Sequence, residues 1–212
     1  MGIYPELNNL SLDELLSRLR GAPPDGPGYA DAFYLEVADV IAQHGRSGAN
    51  ALRAMIPVAD AKRLRAILYG LATSENDGAD VRHLLGSYLT DRRSLVAAEA
   101  IDGLTRLGAR EYADRVLKLR DHASPYVRAA VLRFVRRVGL EGAKPLLIAA
   151  LGDQHPVVRS SAIDELDALG DADLLPLLRT MTADEHPNVR DAACMAIENL
   201  ESLNDAQAAI VD

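Results

Sequence analysis

The apolar positions of this chain recur at helical spacing and fall into short segments that are separated by turn residues. In the second half, apolar side chains return every three or four positions, as on one face of an α-helix. Proline stands at the start of three of these segments, where a helix tolerates its missing N–H. The pattern predicts an all-α protein of helix pairs. First helices are expected near residues 81–89, 112–120, 143–151 and 174–181, and second helices are expected to begin near Ser94, Pro125, Pro156 and Pro187.

These pairs repeat with a fixed period of 31 residues. A fainter copy lies one period upstream, where Val96 takes the valine position and Ala97 replaces the arginine. The recurring glycine stands where the end of a helix needs a left-handed residue. A fixed period in this range predicts a solenoid of stacked helical pairs. Four residue types carry the repeat: Pro125, Pro156 and Pro187; Val127, Val158 and Val189; Arg128, Arg159 and Arg190; and Gly108, Gly139 and Gly170.

Residues 1–79 do not share this register. Ser11 and Glu14 form a capping-box pattern that predicts a helix through about Arg20. The Gly- and Pro-rich residues 21–28 predict a loop, and further helices are expected to end near Gly45 and to lie near 49–56 and 59–73. We therefore predict an irregular helical cap or degenerate repeats over 1–79, and regular repeats over 80–212.

The pattern Pro-x-Val-Arg-x-x-Ala, followed by an apolar stripe and a glycine, resembles the HEAT repeat. It is most similar to the short subtype seen in phycobilisome-lyase-like (PBS-lyase-like) proteins, over about residues 80–201. The resemblance implies a right-handed α-solenoid of antiparallel helix pairs. It also implies a function among scaffolds, regulators, adaptors and chromophore-attachment proteins. Ala97 and residues 1–79 depart from the pattern.

Composition indicates a folded chain with an aliphatic core. Apolar residues make up 49% of the 212 residues and charged residues 25%, while aromatic residues are only 4% and Trp is absent. The first residues lack a signal-peptide pattern, and no apolar stretch approaches the ~20 residues that cross a bilayer. Cys194 is the single cysteine, which a reducing compartment allows. We therefore expect a cytoplasmic protein without a membrane partner.

The net charge of −8 is unevenly distributed along the chain. Residues 106–137 carry nine basic and three acidic side chains, whereas residues 138–212 carry four basic and 14 acidic ones. On the outward stripe of the second helices, this places an arginine cluster beside a carboxylate cluster. Internal compensation by Asp164, Glu165 and Asp167 of the next repeat is the alternative to binding. The predicted partner-binding residues are Arg133, Arg136, Arg137, Asp164, Asp167, Met195 and Glu198.

One arginine per repeat stands in register with an aspartate in the turn before it. Asp153 and Asp184 each lie six residues before their arginine, and Asp121 lies seven before Arg128. In HEAT-like folds this arrangement implies an Asp–Arg ladder between adjacent turns, because a guanidinium can bridge a carboxylate and loop carbonyls. Binding of a phosphate or carboxylate ligand is the alternative. The predicted ladder residues are Asp121, Arg128, Asp153, Arg159, Asp184 and Arg190.

The other candidate residues do not form a catalytic set. His155 and His186 are one repeat apart, too far to share a metal ion, and we expect them to cap helices. Cys194 is expected to be buried and inert, because its surroundings are apolar. The sequence therefore predicts no enzyme, no cofactor and no metal.

We predict a non-catalytic protein–protein interaction module, a scaffold, adaptor or regulator, that binds a partner protein on the exposed face of its second helices. An accessory subunit or lyase-like factor for tetrapyrrole chromophore attachment is an alternative that rests on the subtype resemblance. A nucleic-acid-binding helical-repeat protein is the third interpretation. The pI of 5.1, the acidic flanks and the absence of Trp argue against nucleic acid.

Overall fold

The computed structural model describes residues 3–24, 26, 29–74 and 78–211, with side chains through residue 204. Within these ranges the chain forms twelve α-helices and no β-strand. The predicted loop at 21–28 lies partly outside the described residues, and its described positions are not helical. The helices are α1 Leu12–Arg20, α2 Ala30–Ala42, α3 Gly45–Met55, α4 Ala61–Thr73, α5 Gly78–Ser87, α6 Ser94–Arg106, α7 Ala113–Leu117, α8 Pro125–Arg137, α9 Ala143–Ala150, α10 Pro156–Asp167, α11 Leu175–Met181 and α12 Pro187–Val211.

The chain divides into two compact units, Met1–Tyr112 and Ala113–Asp212. In the first unit, α2 packs on α4 and α4 on α6, while α1, α3 and α5 each pack on the helix that follows. The helices of residues 1–79 therefore pair in the way the later helices do, although apart from Asp60 they lack the recurring residues of the 31-residue register. The boundary between the units falls inside the segment that the sequence predicts as regular repeats.

The second unit is built on the same plan. Its second helices α8, α10 and α12 pack in succession, and α7, α9 and α11 each pack on the helix that follows. The predicted all-α class of stacked helical pairs is confirmed. No helix in the described residues is both long and apolar enough to span a bilayer.

Local sequence signals explain where the helices begin. At α1 the Ser11 N–H donates to the Glu14 carboxylate at 2.8 Å, and the Glu14 N–H donates to Ser11 Oγ at 3.4 Å, which is the predicted capping box. Pro125, Pro156 and Pro187 occupy the first position of α8, α10 and α12. The predicted helix starts are therefore confirmed.

Glycine ends the second helices and sets up the turn into the next pair. Gly139 has a φ of 67°, a left-handed conformation that costs other residues energy, and the Leu140 N–H closes the turn on the Val135 carbonyl at 2.9 Å. Gly108 and Gly170 have the same conformation. Glu201 stands at this position in the last pair, and α12 continues through it to Val211. The missing glycine thus coincides with a helix of 25 residues in place of a turn.

The core of the second unit is aliphatic, as the composition predicts. The Val127 and Val131 side chains of α8 are fully buried, and so is Ala130, in the position where the repeats carry only small residues. Ser161, the equivalent residue of α10, is 8% exposed. Close approach of α8, α10 and α12 explains why this position stays small.

Candidate interaction surface

Two arginine–aspartate pairs link successive helix pairs of the second unit. Arg128 donates from Nε and Nη2 to the Asp153 carboxylate at 2.8 and 2.7 Å. Arg159 does the same to Asp184, at 2.8 Å for both bonds. In each case the arginine lies in a second helix and the aspartate lies in the turn of the following pair. All four side chains are at most 16% exposed, so these bidentate bonds form a two-rung ladder in a largely dry environment.

Arg190 and Asp121 stand outside these two rungs. Arg190 donates from Nη1 to the Asp184 and Glu185 carbonyls, at 2.9 and 3.1 Å. The Asp121 side chain is 86% exposed and accepts from Arg120 at 3.2 Å. Asp121 does not form a rung in the described residues: the position 31 before Asp153 is His122, and Ala97 stands where the preceding repeat would carry the arginine.

The ladder carboxylates are held in their charged form. Hydrogen bonding from Arg159 lowers the pKa of Asp184, against the opposing effect of burial, and the His186 N–H adds to the lowering. Burial by itself would raise the pKa of Asp153, but hydrogen bonds from Arg128 and the His155 N–H lower it overall. Donors within the unit therefore already satisfy these groups.

The predicted arginine cluster of α8 has internal contacts at two of its three positions. Arg136 pairs through Nε with the Glu165 carboxylate of α10, and those side chains are 21% and 6% exposed. Arg133 donates to Ser161 Oγ at 3.3 Å. Arg137 is exposed and has no hydrogen bond or ion pair with any residue that the structure describes. The compensation that the sequence left open is thus present for Arg136, through Glu165.

The carboxylates predicted on the outward stripe come together in an open groove between α10 and α12. We call it the acidic groove; its volume is about 340 Å³. Met195 is 65% exposed within it. Glu198 is exposed on α12 but does not line the groove. The lining residues are Ser160, Asp164, Asp167, Asn188, Asp191, Ala192, Met195, Ala196 and Asn199.

Sequence reasoning missed Asp191. It lies four residues before Met195 on α12, and residues at this spacing share a helix face. The same four-residue spacing links Met195 to Asn199, so it also identifies Asp191 as a residue of this face. The groove therefore has three carboxylates where the sequence predicted two.

The charge of the acidic groove is not neutralised by its own lining. Burial raises the pKa of Asp164, repulsion from Glu165 and Asp167 raises it further, and only Arg133 acts against them. Asp167 accepts from the Asn199 amide at 2.9 Å, which is a neutral donor. No Lys or Arg is among the lining residues. The groove is therefore a site where an added cation relieves repulsion.

A second cavity, of about 370 Å³, lies among α8, α9 and α10. Its floor is aliphatic, with Val131, Leu132 and Leu146 among its lining. The charged groups at its edge already pair with one another, Arg128 with Asp153 and Arg120 with Asp121. This cavity offers apolar surface but no uncompensated charge.

The histidines and the cysteine have simpler roles. Nδ1 of His155 accepts the Val157 N–H at 3.2 Å and Nδ1 of His186 accepts the Asn188 N–H at 3.3 Å, so both cap helices as predicted. Cys194 is exposed, so the prediction that it is buried was wrong; the buried position is its neighbour Ala193. Among the described side chains, no group of His, Cys, Asp or Glu is arranged to hold a metal ion.

The stacked helix pairs, the ladder and the recurring turns define an α-helical repeat protein. A family profile for HEAT repeats matches residues 81–166 and 144–212. The chain therefore belongs to the HEAT-repeat family, as its Pro-x-Val-Arg pattern predicts. A comparison with curated proteins gave no significant match.

A solved structure of a designed repeat protein shares the fold. A designed armadillo repeat protein in complex with a (KR)4 peptide is similar with a TM-score of 0.52 and 17% identity, covering 90% of this chain and 100% of that one. An engineered protein is similar with a TM-score of 0.48 and 15% identity, covering 91% and 97%. Human deoxyhypusine hydroxylase in complex with glycerol has a TM-score of 0.41 and 15% identity, covering 93% and 98%. At these identities the likeness extends to the fold alone.

Proposed function

We propose that this chain is a non-catalytic protein-binding module and that its acidic groove holds a basic segment of a partner protein. The observation that carries the proposal is the incompletely compensated charge of the groove, where Arg133 alone opposes the repulsion at Asp164. Asp164, Asp167 and Asp191 face one open channel without a Lys or Arg in its lining. A Lys or Arg side chain placed there gains attraction to the carboxylates and offsets their mutual repulsion, which adds to the effect of burial in raising the pKa of Asp164.

Met195 supplies the apolar part of the same site. Its side chain is 65% exposed, and thioethers contact irregular apolar surfaces well. The aliphatic stem of a Lys or Arg can lie on Met195 while the charged end reaches a carboxylate. This combination favours a basic side chain over a free metal cation.

The mechanism is recognition by a preorganised surface. The groove lies between two packed helices, α10 and α12, so little of it needs to be ordered on binding. The interpretation as a nucleic-acid-binding protein depends on arginines of α8, and Arg133 and Arg136 already have partners in the second unit. We also propose that the protein is cytoplasmic.

The test is binding of a dye-labelled Lys/Arg octapeptide, followed by fluorescence anisotropy, with a Glu octapeptide as the comparison. We expect a Kd on the order of 10–100 μM, weakening as salt rises, and no binding of the Glu peptide. The Asp164→Asn/Asp191→Asn variant removes two exposed charge pairs of about 0.5–1 kcal/mol each. This predicts roughly five- to thirtyfold weaker binding.

The matched control removes two carboxylates outside the groove. Glu141→Gln/Asp173→Asn changes the net charge by the same amount at exposed positions and should leave the affinity within about twofold. Equal weakening by both double variants would mean that the peptide senses net charge alone, and the groove would lose its role. Tight binding of the Glu peptide would contradict the proposal outright.

A further inference from the structure

The three repeat arginines of the second unit are anchored in the same way. Each donates from Nη1 to the carbonyl that lies six residues earlier in the chain. Because this bond fixes one edge of the planar guanidinium, it also fixes the direction of the other edge, formed by Nε and Nη2. The three bonds are Arg128 to His122 at 2.8 Å, Arg159 to Asp153 at 2.9 Å and Arg190 to Asp184 at 2.9 Å.

The free edge holds a carboxylate in two of the three cases. Asp153 and Asp184 occupy it on Arg128 and Arg159, with all four bonds at 2.7–2.8 Å. On Arg190, no described side chain accepts from Nε or Nη2. The same protein therefore shows the occupied geometry twice and the unoccupied geometry once.

The chain does not supply the missing carboxylate from α12. Where earlier pairs turn at a glycine, α12 continues past Glu201, so no turn within residues 187–211 comes back to Arg190. Asp205 lies 15 residues further along the same helix. At a rise of 1.5 Å per residue this is roughly 22 Å away along the helix axis, beyond the reach of the Arg190 side chain.

We infer that Arg190 is a binding position for an Asp or Glu carboxylate of a partner protein. The hydrogen bond to the Asp184 carbonyl already orients the Arg190 guanidinium. Binding of a carboxylate therefore costs little side-chain entropy. A planar fork with two parallel donors matches a carboxylate better than it matches a neutral acceptor. This site binds a negatively charged group, whereas the acidic groove binds a positively charged one, and the inference does not rest on the proposed function.

A second copy of this chain is the wrong partner for this position. In a head-to-tail contact between two copies, Arg190 of one copy would need an unpaired aspartate of the other copy, at the turn position that Asp153 and Asp184 occupy in their own helix pairs. His122 stands in that register at the start of the second unit, and in the first unit Asp91 is paired with Arg93 and Asp60 with Arg63. We therefore assign the carboxylate to a different protein.

The test uses the chain's own ladder turn as the probe. A capped peptide of residues 152–157, which contains Asp153, is titrated into full-length protein labelled with ¹⁵N-arginine, and the Nε–H signal of Arg190 is followed. The same peptide with Asn in place of the aspartate is the comparison. We expect a saturable shift with a Kd in the low millimolar range, about fivefold or more tighter for the Asp peptide than for the Asn peptide.

Variants separate this site from general charge attraction. Arg190→Lys keeps the charge but loses the fork, so binding read from the Asn188 and Val189 amides of uniformly ¹⁵N-labelled protein should weaken about fivefold or more. Arg179→Gln removes an exposed arginine of the same helix pair and should leave binding unchanged. No saturable shift up to about 20 mM peptide, equal binding of the Asn peptide, or unchanged binding by Arg190→Lys would each overturn the inference.

Discussion

Arg159 and Arg190 occupy the same position in successive repeats, yet the structure gives them different consequences when they are removed. Arg159 makes two bonds at 2.8 Å to Asp184 and one to the Asp153 carbonyl, with its side chain 8% exposed. With the residues that the structure describes, Arg190 makes only the carbonyl bonds. We predict that Arg159→Ala destabilises the chain far more than Arg190→Ala does.

The magnitude follows from what each substitution leaves behind. Removing one partner of a buried ion pair costs about 3–5 kcal/mol, because the other charge stays in a poorly hydrated environment. Asp184 keeps the His186 N–H at 2.8 Å, which places Arg159→Ala near the lower end, at about 3 kcal/mol. Arg190→Ala removes hydrogen bonds to carbonyls that water can reach, at a cost of about 1 kcal/mol.

The assay is urea unfolding followed by far-ultraviolet circular dichroism, with both variants and the wild type under one buffer. Native-state hydrogen exchange on α10 and α12 then shows whether the loss is local to the ladder, as expected for stacked repeats. Arg159→Lys should fall between wild type and Arg159→Ala, since it keeps the charge without the fork. Costs for Arg159→Ala and Arg190→Ala within about 0.5 kcal/mol of each other would refute the ladder argument.

Three further predictions concern the same unit. Folding lowers the pKa values of Asp153 and Asp184 from 3.8, so the stability that these carboxylates contribute is present above pH 3.8 and is lost as the pH falls through the folded pKa. Asp184→Asn should therefore make the free energy of unfolding depend less on pH on the acid side, as measured by urea unfolding. Arg136→Ala leaves Glu165, which is 5% exposed, without its counter-ion, and should cost about 2–4 kcal/mol in thermal denaturation, more than Glu165→Gln does. Gly139→Ala forces a side chain onto a backbone with φ of 67° and should cost about 1–2 kcal/mol, seen as a lower Tm; an unchanged Tm would contradict the turn assignment.

Turn chemistry made the second unit predictable. Proline at the start of α8, α10 and α12 and glycine after α6, α8 and α10 act locally, through the missing N–H and the left-handed backbone, so their period transfers directly to helix boundaries. The first unit packs its helices in the same way with fewer of these markers: it has left-handed glycines at Gly45 and Gly108 but no proline at the start of α2, α4 or α6. The helices of the first unit pair because their apolar faces pack against each other, and a repeat period in the sequence does not predict which faces meet.

Single-residue errors in the site have a physical origin. Neighbouring residues on a helix point about 100° apart, so Ala193 is fully buried while Cys194 is exposed. The ladder position follows the 31-residue period, so it falls on His122 and not on its neighbour Asp121. Arg136 and Glu165 are 29 residues apart in sequence. Only the packing of α8 on α10 decides that Arg136 pairs with Glu165 and not with the exposed Asp164.

The most direct test of the central claim, that the acidic groove holds a basic segment of a partner protein, is photo-crosslinking in the native cell. A benzophenone amino acid replaces Met195 in the groove or, as the matched control, Thr180, which is exposed on α11. The account predicts one partner protein linked at position 195 and not at position 180, joined through a segment rich in Lys and Arg, and lost in the Asp164→Asn/Asp191→Asn background. Equal crosslinking at both positions, or a linked segment rich in Asp and Glu, would contradict it.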